Sequence, residues 1–494
     1  MPQQTFFSAG TVVLALAATA VLAQAPAAPV NLRIIGNAGV PFSVSVASGA
    51  PQSAVVNTTY AALLRVLVRD VNSIAATGVT VTFTAPTSGP SGLFNGTSIA
   101  TALTDNTGIA TAPVITANGT TGNFAVAASV AGAGRTSLTL TNVPAGGPAG
   151  TWVNITPPQI PSMANCSDPQ YGMQVVGLSP ANPLIVYVGT CYHGIYKSQD
   201  GGLTWTKIDT GTNSSSLDQG RNWTLAVDPT DPNVVYTVAG YGTQQQGIFK
   251  STDGGVNWAA MLPTTISNQT TADIYSIAID PLNHLHLLVG CHSGWNFGSN
   301  AGVLESLDGG QSWIQHAPQG NWGAGHYLFF LGQDDSGHAS STAWILATQG
   351  DGFWRTLDGG TTWTQVSSSA NMQHGAEGLY RTAAGILYMG AAQHVLRSTD
   401  NGQSWTAVGP ATPDGYNAVV GDGTYLYIQP ANTGLATSGA HPYYVSLESD
   451  GVTWQPFNGQ TFLDGPMSMV FDTQNRVIYS SNWCAGLWKL VTGH

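Results

Sequence analysis

Apolar and polar residues alternate in short stretches along most of this chain, and clusters of Gly, Pro, Asn, Asp and Ser separate the stretches. Between about residues 31 and 143 they include LLRVLV at 63–68 and VTVTF at 79–83. An alternation with period two is typical of strands that bury one face. About seven such stretches precede residue 145, which is the strand number of a simple β-sandwich. The pattern therefore predicts an all-β sandwich over residues 30–145.

The pattern changes after the Gly- and Pro-rich residues 146–150, which predict a linker. In each following unit, one strand ends near a turn such as Asp-Pro at 228–229 or 280–281, and a second strand follows it. A third strand then enters a short polar signature, and a fourth strand leaves it. Four short strands per unit are typical of a propeller blade. The sequence thus predicts an all-β protein with a β-propeller over residues 151–494.

The polar signature recurs at intervals of 42–55 residues, measured between its tryptophans. A period of this length is typical of repeat architectures with one supersecondary unit per copy. The first five copies read SQDGGLTW, STDGGVNW, SLDGGQSW, TLDGGTTW and STDNGQSW, and a degenerate sixth ends SDGVTW. They are Ser198 to Trp205, Ser251 to Trp258, Ser306 to Trp313, Thr356 to Trp363, Ser398 to Trp405 and Ser449 to Trp454.

A seventh unit follows the sixth signature but lacks its last strand. Residues 467–471, 477–481 and 486–490 supply three strands, after which the chain ends. Residues 151–155 (TWVNI) match the outgoing strand at 204–208 (TWTKI) in type. We therefore expect strand 151–155 to complete the last unit, close a ring of seven blades and remove an exposed sheet edge.

The signature resembles the Asp-box, or BNR, repeat of sialidases, xyloglucan-active hydrolases, sortilin-like receptors and photosystem assembly factors. The resemblance implies a hairpin turn in which the aspartate accepts backbone N–H bonds, the glycines take positive φ and the tryptophan packs between sheets. The aspartates are accordingly expected to be structural, on the face opposite the functional loops. They are Asp200, Asp253, Asp308, Asp358 and Asp400.

The N-terminal region resembles a second family through the stretches VRD at 68–70, GVTVTF at 78–83, TDNTGIA at 104–110 and GNFAVAA at 122–128. These are similar to the bacterial Ig-like domains of invasin and intimin type. The resemblance implies a spacer or cell-surface module without catalytic residues.

Composition and charge exclude some functions. Only 8% of the 494 residues are charged, the net charge is −12, and no basic run occurs, so nucleic acid is not an expected partner. The apolar residues 11–22, followed by Ala23-Gln24-Ala25, predict a signal peptide over residues 1–25. No later stretch is long enough to span a bilayer. We expect a secreted monomer, extracellular, at the cell surface or periplasmic, with no cofactor and no metal.

Blade topology sorts the polar residues by face, because loops from second to third strands and between blades share one end of a propeller. These loops are rich in the aromatic, amide and carboxylate groups that suit carbohydrates, and only Arg221 among them could clamp a sialic acid carboxylate. We therefore predict a glycoside hydrolase that is not a sialidase. Its catalytic candidates are Glu377, Asp464, Asp168 and Asp273, since hydrolysis needs two carboxyl groups about 5–10 Å apart. Substrate-binding candidates are Trp223, Tyr241, Trp295, Trp322, Tyr416 and Trp483.

Two alternatives stay open at this point. A uronic-acid polysaccharide lyase needs a cation for the sugar carboxylate and a His or Tyr to move the proton. That set would be Arg221, His326, His374 and Tyr171. A non-catalytic glycan-binding, adhesin or assembly-factor propeller would use the same face, because fold does not determine function.

The four cysteines suit an oxidising compartment. Cys166, Cys191 and Cys484 map to the junction of the first and last blades, so two of them are candidates for a disulfide that locks the closure. Cys291 is expected to be unpaired.

Overall fold

A computed structural model of the chain describes residues 41–120, 122–143, 150–160, 172–240, 247–261, 274–291, 302–322, 326–348, 350–368, 378–431 and 439–492. Within them, the side chains of Pro41, Phe42, Val55, Val143, Cys291 and His326 are not described. The described residues form strands and one short helix, α1 (Ser214–Asp218). The chain is thus almost entirely β-structure, as predicted.

Ten strands precede residue 144, and they form three sheets. The strand orders are β1-β3-β7, β2-β10-β9-β4-β6 and β5-β8. The strands are β1 (Pro41–Ser48), β2 (Gln52–Val55), β3 (Arg65–Asp70), β4 (Thr80–Thr84), β5 (Gly92–Phe94), β6 (Ile99–Leu103), β7 (Ile109–Thr111), β8 (Ile115–Ala117), β9 (Gly122–Val130) and β10 (Gly134–Val143). The number of strands exceeds the predicted seven. The reason is that β5, β7 and β8 have three residues each, too few to show an alternation in the sequence.

The two larger N-terminal sheets share one hydrophobic core. Val66 and Val68 of β3 and Val81 and Phe83 of β4 are completely buried in it. The burial of β3 alternates along the strand, as the period-two pattern requires. We call this unit the sandwich below.

The rest of the chain folds into seven four-stranded sheets. Sheets 1 to 6 each use four consecutive strands, and sheet 7 has the order β11-β38-β37-β36. The strands are β11 (Val153–Asn154); β12 (Gly172–Leu178), β13 (Val186–Cys191), β14 (Ile195–Ser198) and β15 (Thr206–Lys207) in sheet 1; β16 (Leu225–Val227), β17 (Val235–Ala239), β18 (Gly247–Ser251) and β19 (Ala259–Ala260) in sheet 2; β20 (Ile274–Asp280), β21 (Asn283–Cys291), β22 (Val303–Ser306) and β23 (Ile314–His316) in sheet 3; β24 (His326–Phe330), β25 (Trp344–Thr348), β26 (Phe353–Thr356) and β27 (Thr364–Ser367) in sheet 4; β28 (Leu379–Arg381), β29 (Leu387–Gly390), β30 (Val395–Ser398) and β31 (Thr406–Val408) in sheet 5; β32 (Val420–Gly421), β33 (Tyr425–Ile428), β34 (His441–Leu447) and β35 (Gln455–Phe462) in sheet 6; β36 (Ser468–Asp472), β37 (Val477–Asn482) and β38 (Gly486–Val491) in sheet 7.

The strand before sheet 1 completes sheet 7, as the repeat count predicts. Val153 pairs with Lys489 in an antiparallel register, and the Ile155 amide donates to the Leu487 carbonyl at 2.8 Å. Trp152 is buried and stacks on Tyr443 of sheet 6, with ring centroids 4.2 Å apart. The outer edge of the last sheet is therefore covered by the chain itself.

The five full signatures are tight turns with one geometry. In the first, the amides of Leu203 and Thr204 donate to Asp200 Oδ1 at 3.0 and 2.9 Å, and the Thr204 hydroxyl donates to Asp200 Oδ2. These bonds, the Thr204 hydroxyl foremost, lower the pKa of Asp200 to about 2. Equivalent bonds hold Asp253, Asp308, Asp358 and Asp400. The side chains of these aspartates are thus occupied by hydrogen bonds within the turns. We call the face of the propeller on which these turns lie the signature face.

A cation on the third strand of most sheets contacts residues of its own sheet or of the next one. Lys197 and Lys250 lie over the rings of Tyr187 and Tyr236, and Lys250 Nζ donates to the Gly309 carbonyl of the next sheet. Arg355 pairs with Asp335, and Arg397 Nε donates to Tyr388. These contacts give the third-strand cations a structural role.

Sheet 3 departs from this pattern, because Glu305 replaces the cation. Its carboxylate contacts two histidines, His286 on β21 and His316 on β23, each at 2.9 Å, and His286 also contacts Asp280 at 3.0 Å. His286 and His316 lie edge-on to Trp344 of sheet 4. The charged chain Asp280–His286–Glu305–His316, called the histidine chain below, thus crosses all four strands of sheet 3.

Candidate functional site

The loops opposite the signature face form what we call the loop face, and the structure describes only part of it. Asp464, Arg221, Trp223, Trp322, Tyr416 and Trp483 are described. His326 lies on β24, but its side chain is not described. The remaining predicted residues lie outside the described ranges, namely Glu377, Asp168, Asp273, His374, Tyr171, Tyr241, Trp295 and Cys166.

Asp464 belongs to a hydrogen-bond network that joins sheets 6 and 7. The Asn482 side-chain amide donates to the Asp464 carbonyl at 3.3 Å and to Gln429 Oε1 at 3.0 Å. Gln429 in turn donates to the His441 carbonyl at 3.0 Å, and His441 Nε2 lies 3.1 Å from Asp414 Oδ2. We call these five residues the loop-face network.

The Asp414–His441 pair gives this network acid–base chemistry. The Asp414 side chain is fully buried, whereas one fifth of the His441 side chain is exposed. Because a carboxylate only accepts hydrogen bonds, Asp414 orients the His441 ring with Nε2 toward it. Imidazoles oriented by a buried carboxylate act as general acids or bases in many enzymes. The sequence does not point to His441, because its partner Asp414 comes from a different loop.

Arg221 supplies a fixed positive charge on the same face. Its guanidinium carbon lies 5.3 Å from the Trp223 ring centroid and 5.8 Å from that of Trp483. Its backbone bridges Cys191 of sheet 1 and Gly240 of sheet 2. Cation–π contacts with two rings hold the guanidinium in place. Arg221 therefore links sheets 1, 2 and 7.

The predicted sugar-binding aromatics that are described have buried rings. Trp223, Trp322, Tyr416 and Trp483 are each at most 1% exposed. Trp322 packs edge-on against Trp363 at 5.2 Å, and the Tyr416 hydroxyl donates to the Pro410 carbonyl at 2.7 Å. These rings support the loop face from below, and their role as sugar contacts stays a prediction.

The cysteines differ in part from the expectation. Cys484 forms a disulfide with a partner outside the described side chains. Cys191 is a free, buried thiol that donates to Gln174 Oε1 at 3.1 Å. Burial raises its pKa to about 12, against the opposing charge of Arg221. Cys191 is therefore not part of the closing disulfide, because its thiol points to the first strand of its own sheet.

A pair of carboxyl groups lies at the loop end of sheet 1. Asp209 Oδ2 and Asp218 Oδ1 meet beside the Cα of Gly194, which adopts a φ of +77°. Lys207 Nζ lies 2.6 Å from Asp218 Oδ1. Burial, followed by the hydrogen bond and charge of Asp218, raises the pKa of Asp209 to about 8. At neutral pH the raised pKa leaves Asp209 protonated beside the Asp218 carboxyl group, and we call this proton the shared proton below.

The shared proton predicts a specific pH dependence of stability. A carboxyl whose folded-state pKa is raised stabilises the fold below its unfolded pKa of about 4, and this contribution is lost as pH rises through 8. Asp209→Asn keeps a donor to Asp218 without the charge. We expect similar melting temperatures for variant and wild type near pH 4, and a variant that melts several degrees higher at pH 9, by thermal denaturation.

The matched control is Asp231→Asn, which removes a turn carboxylate from the signature face of sheet 2. The difference in melting temperature between Asp231→Asn and wild type is expected to be the same at pH 4 and at pH 9. A pH profile of Asp209→Asn that parallels wild type would contradict the shared proton.

Comparisons with known proteins define the fold. No family model matches the chain. A crystal structure of a GH74 xyloglucanase from Xanthomonas campestris superposes with a TM-score of 0.52 at 16% identity, covering 70% of this chain and 54% of that one. The four-stranded sheets agree with this likeness. The fold is a β-propeller.

Curated relatives match half of the chain or less. A xyloglucanase of Paenibacillus sp. is 27% identical over 260 residues, which are 50% of this chain and 22% of that protein. Xyloglucanase Xgh74A of Acetivibrio thermocellus is 22% identical over 219 residues, 39% of this chain and 25% of that protein. The chain thus spans about a quarter of the length of these relatives. No helix among the described residues is long and apolar enough to cross a membrane.

Proposed function

We propose that this chain is a secreted glycoside hydrolase that cuts an extracellular polysaccharide at the loop face of its propeller. The observation that carries the proposal is the 27% identity over 260 residues to a xyloglucanase. The propeller fold supports the proposal. The position of the sandwich also supports it, because its contacts with the propeller are on the signature face. A neutral β-glucan with xylose branches is therefore the first substrate to test.

The architecture we propose has four parts. They are a signal peptide at 1–25, a bacterial Ig-like domain at 30–145, a linker at 146–150 and a propeller at 151–494. The seven four-stranded sheets and the pairing of β11 with β38 support a ring of seven blades closed by strand 151–155. The ten-strand sandwich supports an Ig-like spacer.

We propose Glu377 and Asp464 as the first acid–base pair to test, with Asp168 and Asp273 as further carboxylates. Asp464 is buried on the loop face, with 3% of its surface exposed. A protonated carboxyl at neutral pH is what the general acid of a glycosidase requires. The network around Asn482 fixes the backbone of Asp464, which favours a defined orientation.

The experiment is a screen of neutral and uronic polysaccharides, including xyloglucan. New reducing ends and the absorbance of unsaturated uronates are read together. We expect reducing ends alone, from xyloglucan or another neutral glucan. Glu377→Gln or Asp464→Asn is expected to lower kcat by at least 100-fold, whereas Asp231→Asn on the signature face leaves it unchanged. Binding without either signal would contradict the hydrolase proposal.

A second candidate function is a uronic-acid lyase, which the Asp414–His441 pair and the fixed charge of Arg221 favour. Elimination needs a proton acceptor and a cation near the sugar carboxylate. It would produce reducing ends and unsaturated uronates together. His441→Ala and Arg221→Lys would then abolish both signals, whereas they would leave the hydrolysis of a neutral glucan largely intact.

A further inference from the structure

A groove of about 360 Å³ lies between the sandwich and the signature face of the propeller. The sandwich contributes residues 48–53, and the propeller contributes the turn 382–386 with Glu448 and Ser449. The Ser449 hydroxyl donates to the Ser53 carbonyl at 3.1 Å and joins the two walls. The volume is in the range of small-molecule binding sites.

The degenerate sixth signature forms the propeller wall of this groove. Tyr425 pairs with Leu447 as Val186 pairs with Ser198 in sheet 1. In this register, Leu447 and Ser449 replace the serine and the aspartate that hold the other turns together. Among the described residues, the turn that departs from the signature is therefore also the turn that makes a hydrogen bond to the sandwich.

Glu448 presents a carboxyl oxygen to the groove. Its Oε1 accepts hydrogen bonds from the Tyr380 hydroxyl at 2.5 Å and the Gly423 amide at 2.9 Å. Within the described part of the chain no donor contacts Oε2, although Glu448 is only 9% exposed. Burial raises the pKa of Glu448 to about 7, although both hydrogen bonds act in the opposite direction. At neutral pH this carboxyl can therefore both donate and accept.

The walls of the groove are held in shape by local hydrogen bonds. The Gln52 side chain donates to the carbonyls of Gly49 and Ala62 at 2.5 and 2.7 Å and accepts from the Ala62 amide at 3.0 Å. On the propeller side, the Ile386 amide donates to the Thr382 hydroxyl at 3.1 Å. A preformed site loses little entropy when it binds a ligand.

The side chains that line the groove determine which kind of ligand it can bind. Hydroxyl groups from both walls alternate with small apolar side chains, and no described residue that lines the groove carries a positive charge. An anion is disfavoured by Glu448 and by Asp422 behind it. We propose that the groove is a second binding site, which takes one or two units of a neutral saccharide and hydrogen-bonds a sugar hydroxyl through Glu448 Oε2. This site is separate from the loop face and does not depend on hydrolysis there.

The test is isothermal titration of the full chain with cellobiose and xylobiose, alongside ethanolamine as a cationic probe. Wild type is expected to bind a disaccharide. Glu448→Gln should weaken binding at least tenfold, and Ala383→Trp, which fills the groove, should abolish it. The control Leu282→Trp lies in the equivalent turn of sheet 3, where the side chain is exposed, and should bind like wild type.

Three outcomes would overturn the proposal. They are no disaccharide binding by wild type, binding of ethanolamine in place of the sugars, and full binding by Ala383→Trp. Binding lost in Glu377→Gln but kept in Ala383→Trp would place the sugar on the loop face instead. Because the assay measures binding without cleavage, its failure is distinguishable from failure of the hydrolase proposal.

Discussion

Trp152→Ala is expected to lower the free energy of unfolding by about 3–5 kcal/mol, the usual cost of truncating a buried tryptophan. Trp152 immediately precedes β11 and stacks on Tyr443, so it joins sheet 6 to the edge of sheet 7. The Asn458 side chain also donates to the Gly150 carbonyl at 2.7 Å. Loss of the ring therefore weakens both the packing and the closing strand. Chemical denaturation monitored by tryptophan fluorescence and circular dichroism measures the change.

The control for Trp152→Ala is Val153→Ala, in the adjacent residue of the same strand. Val153 is 52% exposed, so its truncation is expected to change stability by less than about 0.5 kcal/mol. Equal effects of the two substitutions would show that strand 151–155 is not an integral part of the last sheet.

Glu305→Gln is expected to destabilise the fold by about 3 kcal/mol, because it leaves His286 and His316 without their shared anion in a buried site. The effect should depend on pH. Burial opposes the ionised form of Glu305, but its hydrogen bonds to both histidines lower its pKa to about 2. Burial likewise opposes the charged form of His286, but contacts with Glu305 and Asp280 raise its pKa.

The directions of the pKa shifts of Glu305 and His286 define the pH range in which Glu305→Gln should have its largest effect on stability. A lowered carboxyl pKa stabilises the fold above about pH 4.5, and this contribution is lost as pH falls toward 2. A raised histidine pKa stabilises the fold below about pH 6.5, and this contribution is lost as pH rises through the folded-state value. The difference between wild type and Glu305→Gln should thus be largest between about pH 4.5 and 6.5.

Lys250→Gln is the matched control for this window, since Lys250 holds the same third-strand position in sheet 2. Its effect on stability should not change between pH 4 and pH 8, where lysine stays charged. Parallel pH profiles for Glu305→Gln and Lys250→Gln would contradict the role of the histidine chain.

The sequence predicts the parts of this fold that local chemistry determines. Asp200 and its equivalents bond to amides three and four residues ahead, so the turn is encoded within eight residues. The pairing of residues 151–155 with the last sheet follows from counting strands, because an open sheet edge favours a partner. The Asp-Pro turn at 228–229 is local in the same way, since Asp228 accepts the amides of Thr230 and Asp231.

Contacts that depend on register or on long loops could not be predicted. The histidine chain forms because His286, Glu305 and His316 fall on one side of three paired strands, which the sequence does not specify. His441 and Asp414 are separated by 27 positions and meet only through the fold. Asp209 and Asp218 meet because the short helix that ends at Asp218 brings this residue beside Gly194 and Lys207. For the same reason, the roles of Glu377, Asp168 and Asp273 stay predictions.

The most direct test of the central claim is the chain length of xyloglucan after incubation with the purified protein, measured by size-exclusion chromatography. Shorter fragments are expected with wild type and Asp231→Asn, and an unchanged profile is expected with Glu377→Gln. The hydrolase proposal would be contradicted if folded wild-type protein left xyloglucan and the other neutral polysaccharides of the screen at full length.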